Sequence, residues 1–314
     1  MKIKHFYFLI LTIACTTLLH AQLTNDVASA KIITSDITNF YAAFDLAIKD
    51  SIHAKAIFQK EYFDKASTGL KDFNKSKIPD IDYFTRIVLS YKAFYESIRE
   101  DVTNIDDLKK QIYSNYATFK KLYPDAKFPD VYFVMGCFTS NGTSSKNGLL
   151  IGTELVSKTL SMNTTAWPQE IKAIVTNREH IPITVSNELI HFNQQKMRKE
   201  ETLLAYAIKE GSAEFIGELI SGATDGNYEA FKGREKAIWA DFKDDMHKDI
   251  YNSWHKENEP RRPKNALYWV GYLICKSYYN SAPDKKKALY NILHCKNYDD
   301  LYSNSNVYHV INGY

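Results

Sequence analysis

The sequence is poor in the residues that interrupt regular structure. It contains 12 glycines and 8 prolines among 314 residues, but 22 tyrosines and 17 phenylalanines. Hydrophobic residues make up 45% of the chain and charged residues 25%, which excludes a disordered protein and one that spans membranes throughout. We therefore expect a helix-rich globular protein with an aromatic core, made of one large or two modest domains.

Cysteine is also scarce, and its number is odd once the N-terminal segment is set aside. Cys15 lies in an apolar leader, which leaves Cys137, Cys275 and Cys295. An exported chain can form disulfides, so a pair between Cys275 and Cys295 stays open, but a dense disulfide framework is excluded. We expect three buried thiols, none of which has the spacing of a metal ligand.

Neither sign of charge is in large excess. The formal net charge is +3, and removing the two positive charges of Lys2 and Lys4 with a leader leaves +1. A strongly basic surface is the usual mark of a protein that binds nucleic acid. This balance therefore gives no reason to expect nucleic acid as a partner.

Long hydrophobic runs are missing except near the N-terminus, where two lysines precede an apolar run from Phe6 to Ile13. This run is shorter than the roughly 20 residues of a membrane-spanning helix, so we expect no transmembrane segment after leader removal. The pattern predicts a signal peptide, residues 1–21, cleaved after Ala21, and a periplasmic or extracellular protein. The alternative is a lipoprotein signal, Thr12–Cys15, in which Cys15 carries a lipid anchor in the outer envelope.

Residues 22–125 are expected to form a helical N-terminal region, because their apolar residues recur at helical spacing. Asp36 is the predicted N-cap of the first helix. The predicted helices run from Ile37 to Ile48, from Ala54 to Phe73, from Ile81 to Ile98 and from Ile105 to Leu122.

Two short runs then have the composition of strands. They are Asp130–Met135 and Leu149–Leu155, and the connection between them is polar, with Gly, Ser and Thr. This pattern predicts an antiparallel hairpin. The hairpin can be purely structural, or its edge can pair with an extended peptide, in which case Glu154 is a candidate for a peptide contact.

The most informative motif lies in a helix that we expect to begin near Pro182. The five residues Asn187–His191 differ by one residue from H-E-x-x-H, in which two His one turn apart bind zinc and the Glu activates water. Eighteen residues separate His191 from Glu210, which lies in the next predicted helix, Thr202–Ile220. We expect the two helices to pack, with the His191 and Glu210 side chains within about 7 Å of each other, near enough for one zinc ion to bridge.

A His-His-Glu set at this separation resembles that of the gluzincin metallopeptidases, whose third ligand is a Glu on the following helix. A broader resemblance, from about Ser35 onward, is to a bacterial family of predicted secreted zinc-dependent proteases. It is carried by Val131–Gly136, Gly148–Glu154, Asn187–Gln194, Glu210–Phe215, Arg262-Pro263 and Tyr268–Tyr272. The resemblance implies an α+β, mainly helical fold with a gluzincin-like metallopeptidase core at residues 126–314, which would contain a small antiparallel sheet.

The same resemblance implies a zinc cofactor, a peptide or protein substrate, and roles for particular residues. His191 and Glu210 would bind the metal, and Glu188 would be the general base. Asn187 stands where the family has its first His, and its neutral amide oxygen would be a weak ligand for zinc. Tyr268 would be a candidate for stabilising the oxyanion formed on attack.

Two functions are compatible with these residues. The first is a secreted zinc metallopeptidase-like protein with a degenerate metal site, and the retained Glu188 favours it. The second is a catalytically inactive protein of the same fold, which binds extended peptide or acts as an envelope scaffold. The missing imidazole at Asn187 favours this second function.

Overall fold

The computed structural model describes residues 25–194, 197–255, 262–263 and 265–313. The predicted signal peptide, the cleavage site after Ala21 and the alternative anchor Cys15 lie outside these residues. The fold is mainly helical with one small sheet. The described helices are α1 (Ser35–Ala47), α2 (Ala54–Phe58), α3 (Thr68–Lys77), α4 (Ile81–Ser90), α5 (Lys92–Ser97), α6 (Arg99–Thr103), α7 (Asp106–Leu122), α8 (Gln169–Ile174), α9 (Ile181–Asn193), α10 (Leu203–Ser221), α11 (Glu235–Asp245), α12 (Tyr251–His255), α13 (Ala266–Ser281), α14 (Lys285–Leu293), α15 (Tyr298–Ser303) and α16 (Val307–Asn312).

Side-chain caps account for several helix ends. Thr202 precedes α10 and accepts a hydrogen bond from the backbone N–H of Ala205, and Gly222 ends the helix at φ +87°, as expected for a left-handed C-terminal residue. Asp36 is not the N-cap predicted for α1. It lies buried in the first turn, where its carboxylate accepts hydrogen bonds from the backbone N–H and the hydroxyl of Ser67. The tertiary contact with Ser67 therefore decides its position.

The four strands form one mixed sheet in the order β1 (Ile32–Ile33), β2 (Val131–Val134), β4 (Gly148–Gly152) and β3 (Gly142–Ser145). β1 and β4 both run parallel to β2, whereas β3 is antiparallel to β4. The predicted antiparallel hairpin and small antiparallel sheet are therefore wrong. The polar connection forms β3 and reverses the chain, so that β4 returns in the direction of β2.

The core contains the aromatic residues that the composition indicated. Phe40 contacts Phe58, Tyr62 and Tyr95 in one cluster of rings, and all four side chains are fully buried. The strands β2 and β4 are buried along their whole length, as expected for central strands with both faces covered. The division near residue 125 stays a prediction, although β1 pairs with β2 across it.

Two helix contacts place the site that is described next. α9 packs against β3 and α10, and α10 packs most extensively against α13. Gly211 of α10 faces Gly271 of α13 so closely that a Cβ atom on Gly211 would lie 2.0 Å from the Gly271 carbonyl carbon. This backbone contact holds the second of the motif-bearing helices in place.

Two further observations concern export. Among the described residues, no helix is both long and apolar enough to cross a membrane. Cys137, Cys275 and Cys295 are buried free thiols, so the three thiols expected from the sequence are found unbridged.

Candidate functional site: a polar cleft beside the edge strand

A polar cleft of about 410 Å³ lies between α9, α10 and β3. All five residues singled out in the sequence line it, and the sequence reasoning missed most of the others. The lining residues are Lys77, Asn141, Gly142, Thr143, Ser144, Asn187, Glu188, His191, Lys209, Glu210, Glu214, Asp225 and Tyr268. Asp225 follows α10 in a loop, and nothing in its sequence context indicated a site.

Arg178 fixes the start of α9 and therefore the position of the cleft. Its Nε donates to the carbonyl of Asp101 at 2.9 Å, and its two terminal nitrogens donate to the carboxylate of Asp107 at 2.7 and 2.6 Å. A planar guanidinium suits this two-pronged contact. Farther along the helix, the amide of Asn115 in α7 donates to the hydroxyl of Ser186 at 3.1 Å. α9 is thus held by polar contacts on the side away from the cleft.

The structure brings His191 and Glu210 together, with 3.4 Å between His191 Nε2 and Glu210 Oε2. The other ring nitrogen, Nδ1, lies 2.8 Å from Oε1 of Gln194. The amide nitrogen of Gln194 donates to the carbonyl of Lys209 and to the hydroxyl of Ser212, so its oxygen must face the ring. Both ring nitrogens therefore face acceptors, an arrangement that suits the doubly protonated imidazolium.

Electrostatics agree with a charged His191. Burial is the largest effect and disfavours the charged ring, but the carboxylate of Glu210, together with Glu188 and Gln194, more than offsets it and raises the pKa of His191 to about 9. The raised pKa favours a doubly protonated ring beside Glu210.

Three further carboxyl groups face the cleft. Burial raises the pKa of Glu188 to about 7, and the nearby carboxylates of Asp225 and Glu210 add to the effect. Burial likewise raises the pKa of Glu214 to about 7, although the backbone N–H of Gly226 donates to it at 3.1 Å and opposes the rise. Burial also raises the pKa of Asp225 against the hydrogen bond from Thr184. Glu214 is only 4% exposed.

Two of the cleft residues have no hydrogen-bond partner among the residues described here. Asn187 is only 8% exposed, and neither its amide nor the carboxyl of Glu188 makes a hydrogen bond within the described chain. Both groups face the cleft, where solvent or a ligand can supply a hydrogen-bond partner.

Tyr268 and Glu154 lie in different surroundings. The Tyr268 hydroxyl lines the cleft 3.4 Å from that of Tyr251, and burial raises its pKa, with Glu210 adding to the rise. Glu154 is fully buried and accepts hydrogen bonds from the backbone N–H groups of Gly136 and Phe138. It therefore holds the turn before β3 and cannot contact a ligand.

The outer edge of β3 opens onto the cleft. Gly152 donates its backbone N–H to the carbonyl of Asn141, which makes these residues a hydrogen-bonded pair in the antiparallel register. Because such pairs alternate along a strand, the backbone polar groups of Gly142 and Ser144 point away from β4. The carbonyl of Gly142 accepts a hydrogen bond from the Ser140 hydroxyl at 2.7 Å. The other outward backbone groups of Gly142 and Ser144 make no hydrogen bond with the described part of the chain.

The ligand set expected for zinc is incomplete in this cleft. His191 faces Glu210 with Nε2 and the amide oxygen of Gln194 with Nδ1, contacts that a metal-binding histidine can also make. Asn187 supplies a neutral amide where zinc favours an imidazole. Within the described parts of the chain, no group of three or more His, Cys, Asp or Glu side chains could hold a metal ion. The roles predicted for His191, Glu210 and Asn187 as zinc ligands, for Glu188 as general base and for Tyr268 as oxyanion stabiliser stay predictions.

Comparison with known proteins gives the family. A family model described as gliding motility protein GldB, a lipoprotein family, matches residues 20–308. No curated protein and no solved structure was found to match the chain. The predicted family of zinc-dependent proteases, with its gluzincin core and peptidase function, is therefore wrong, because a different family covers nearly the whole chain.

A one-residue departure from a five-residue motif explains this error. The motif and Glu210 lie side by side in the cleft, where Nε2 of His191 lies 3.4 Å from Oε2 of Glu210. A lipoprotein family also favours the envelope over the periplasm or medium as the location. The chain belongs to the family of the gliding motility protein GldB.

Proposed function

We propose that this protein acts in gliding motility as a non-catalytic component of the cell envelope, and that its cleft binds an extended segment of a partner polypeptide along β3. The family description supports the role in gliding. The observation that carries the binding function is the open edge of β3 beside the cleft. Addition of a strand to such an edge is a general way to bind a peptide, because main-chain hydrogen bonds supply much of the affinity.

The unpartnered amide of Asn187 supports the same function. A carboxamide offers N–H donors and a carbonyl acceptor, which is the hydrogen-bonding complement of a peptide group. Asn187 also lies beside Glu188, on the helix that packs against β3. A peptide paired with β3 would therefore have a side-chain amide within the same cleft to hydrogen-bond its backbone.

A proline substitution on the edge strand tests the proposal. Ser144→Pro removes an outward N–H and leaves the ladder with β4 intact, since the Ser144 N–H points away from β4. Lys146→Pro is the matched control, because Lys146 is exposed in the turn after β3 and has negative φ, which proline accepts. A strain that lacks the gene should lose colony spreading. The wild-type gene and Lys146→Pro should restore spreading, and Ser144→Pro should not.

The result for Ser144→Pro counts only if the variant protein accumulates to the wild-type level, which immunoblotting measures. A deletion strain that spreads normally would refute the role in gliding. Full rescue by Ser144→Pro would refute binding along β3 and leave the role in gliding intact.

The alternative signal, Thr12–Cys15, agrees with membership of a lipoprotein family, and we propose Cys15 as the anchor. Metabolic labelling with a fatty acid should mark the wild-type protein and leave Cys15→Ala unlabelled. If the mature protein instead begins at Gln22 and carries no lipid, the signal-peptide prediction holds and the anchor is refuted.

A further inference from the structure

The charges in the cleft are unequal in sign. His191 pairs with Glu210, and Lys209 pairs with Glu200, which lies outside the cleft lining. The remaining titratable side chains of the lining are the carboxyl groups of Glu188, Glu214 and Asp225, whose pKa values burial raises, and the amine of Lys77.

These three carboxyl groups retain unused acceptor capacity. Each carboxylate can accept about four hydrogen bonds. Asp225 accepts one from Thr184 at 2.7 Å, and Glu214 accepts one from Gly226 at 3.1 Å. Glu188 accepts none from the described chain. A second and independent observation points to a ligand here, because Asn187 is a polar side chain only 8% exposed that has no partner among the described residues.

The direction of β3 shows which part of a bound peptide would reach the carboxyl groups. A Cβ atom on Gly142 would lie 2.9 Å from Cγ2 of Thr184 and 3.0 Å from Oε1 of Glu188, so this face of β3 points at α9. Ser144 lies on the same face, since side chains alternate along a strand. An added strand would run about 4.8 Å from β3, and every second side chain would point to the same face.

We infer that the cleft selects a positively charged side chain, lysine or arginine, in the peptide segment bound along β3, with Glu188 and Asp225 as its main partners. The inference rests on the proposed function, because it names the chemistry of the segment that β3 would bind. A lysine brings three N–H donors and an arginine five, which suit the unused carboxylate acceptors. The absence of a side chain at Gly142 leaves Glu188 accessible from the edge of β3.

Blocked heptapeptides test this selection on the full-length mature protein. The probes alternate threonine and valine and carry lysine, arginine, glutamine or glutamate at the central position, and fluorescence anisotropy at low salt measures Kd. Hydrogen bonds to charged groups are the stronger ones, so we expect the lysine and arginine probes to bind at least about tenfold more tightly than the glutamine probe. The glutamate probe should bind most weakly.

Isosteric variants assign the partners. Glu188→Gln and Asp225→Asn should each reduce the preference for lysine or arginine over glutamine by at least about threefold, and the double variant should abolish it. The glutamine probe, whose side chain carries no charge, should lose less affinity in these variants than the lysine and arginine probes. Glu179→Gln is the matched control, because Glu179 is exposed at the start of α9 and does not line the cleft. Circular dichroism and thermal unfolding verify that every variant is folded.

The outcomes separate this inference from the proposed function. If all four probes bind equally and Ser144→Pro abolishes binding, the proposed function stands and the charge selection is refuted. If no probe binds, the proposed function and the inference both fail. If only the lysine or only the arginine probe is selected, the inference stands and the result identifies the side chain.

Discussion

The buried carboxyl group of Glu214 should lower the free energy of unfolding when it ionises, and this effect can be measured. The side chain is 4% exposed, and burial raises its pKa from 4.5 to about 7. Since the folded-state pKa is the higher one, the folded protein holds the proton more tightly than the unfolded chain. The stabilising effect of the bound proton is fully present below pH 4.5, is lost as the pH rises towards 7, and stays lost above that.

The change from Glu to Gln removes the charge and keeps the shape. A rise in pKa from 4.5 to about 7 corresponds to an upper limit of about 3.4 kcal/mol in the free energy of unfolding. Part of this is offset, because the carboxylate accepts a hydrogen bond from Gly226 and its surroundings can relax. We therefore expect the advantage of Glu214→Gln over the wild type to grow by about 1–2 kcal/mol between about pH 5 and about pH 8.

Urea unfolding followed by tryptophan fluorescence at both pH values provides the assay. Because wild type and variant share every other titrating group, the difference between their unfolding free energies isolates Glu214. Glu179→Gln serves as the control for removing one carboxylate from an exposed position. If the difference in unfolding free energy between the wild type and Glu214→Gln is the same at both pH values, the argument from burial is wrong.

Two further predictions concern the framework that holds the cleft. Arg178→Lys keeps the charge but cannot form the two-pronged contact with Asp107, so urea unfolding should show a loss of about 1–2 kcal/mol, and an unchanged stability would contradict its role at the start of α9. Gly211→Ala should lower the free energy of unfolding by at least about 2 kcal/mol, because its Cβ would overlap the Gly271 backbone. Gly217→Ala in the same helix should be neutral or stabilising by up to about 1 kcal/mol, because its Cβ would meet only atoms 3.7 Å away. Equal losses of stability in the two alanine variants would refute the close approach of Gly211 to Gly271.

The helices were the most predictable part of the fold, because the signals that start and stop a helix are local. The Thr202 cap and the Gly222 terminator of α10 lie within the helix's own sequence. The helical spacing of the buried residues between Leu108 and Phe119 in α7 is equally local. The local signal failed where a tertiary contact competed with it. Aspartate is a common N-cap residue, but Asp36 accepts hydrogen bonds from Ser67 instead.

The candidate site was predictable only in part. Asn187, Glu188, His191 and Glu210 could be grouped from their spacing along two helices, and they do line one cleft with Tyr268. The family could not be inferred from them, because a short motif of common residues is compatible with many proteins. The match over residues 20–308 carries far more information than five residues.

By itself the sequence determined the mainly helical class, the aromatic core and the positions of the helices that carry the site, since periodicity and capping act within a few turns. Only the tertiary structure decided the direction of β4, because strand pairing depends on where β3 places the returning chain. It also decided the chemistry of the cleft. Glu210 of the next helix faces one nitrogen of His191, and Ser212 of that helix fixes the amide of Gln194 that faces the other. Burial raises the pKa of Glu214. These effects depend on neighbours distant in sequence, which a local pattern does not contain.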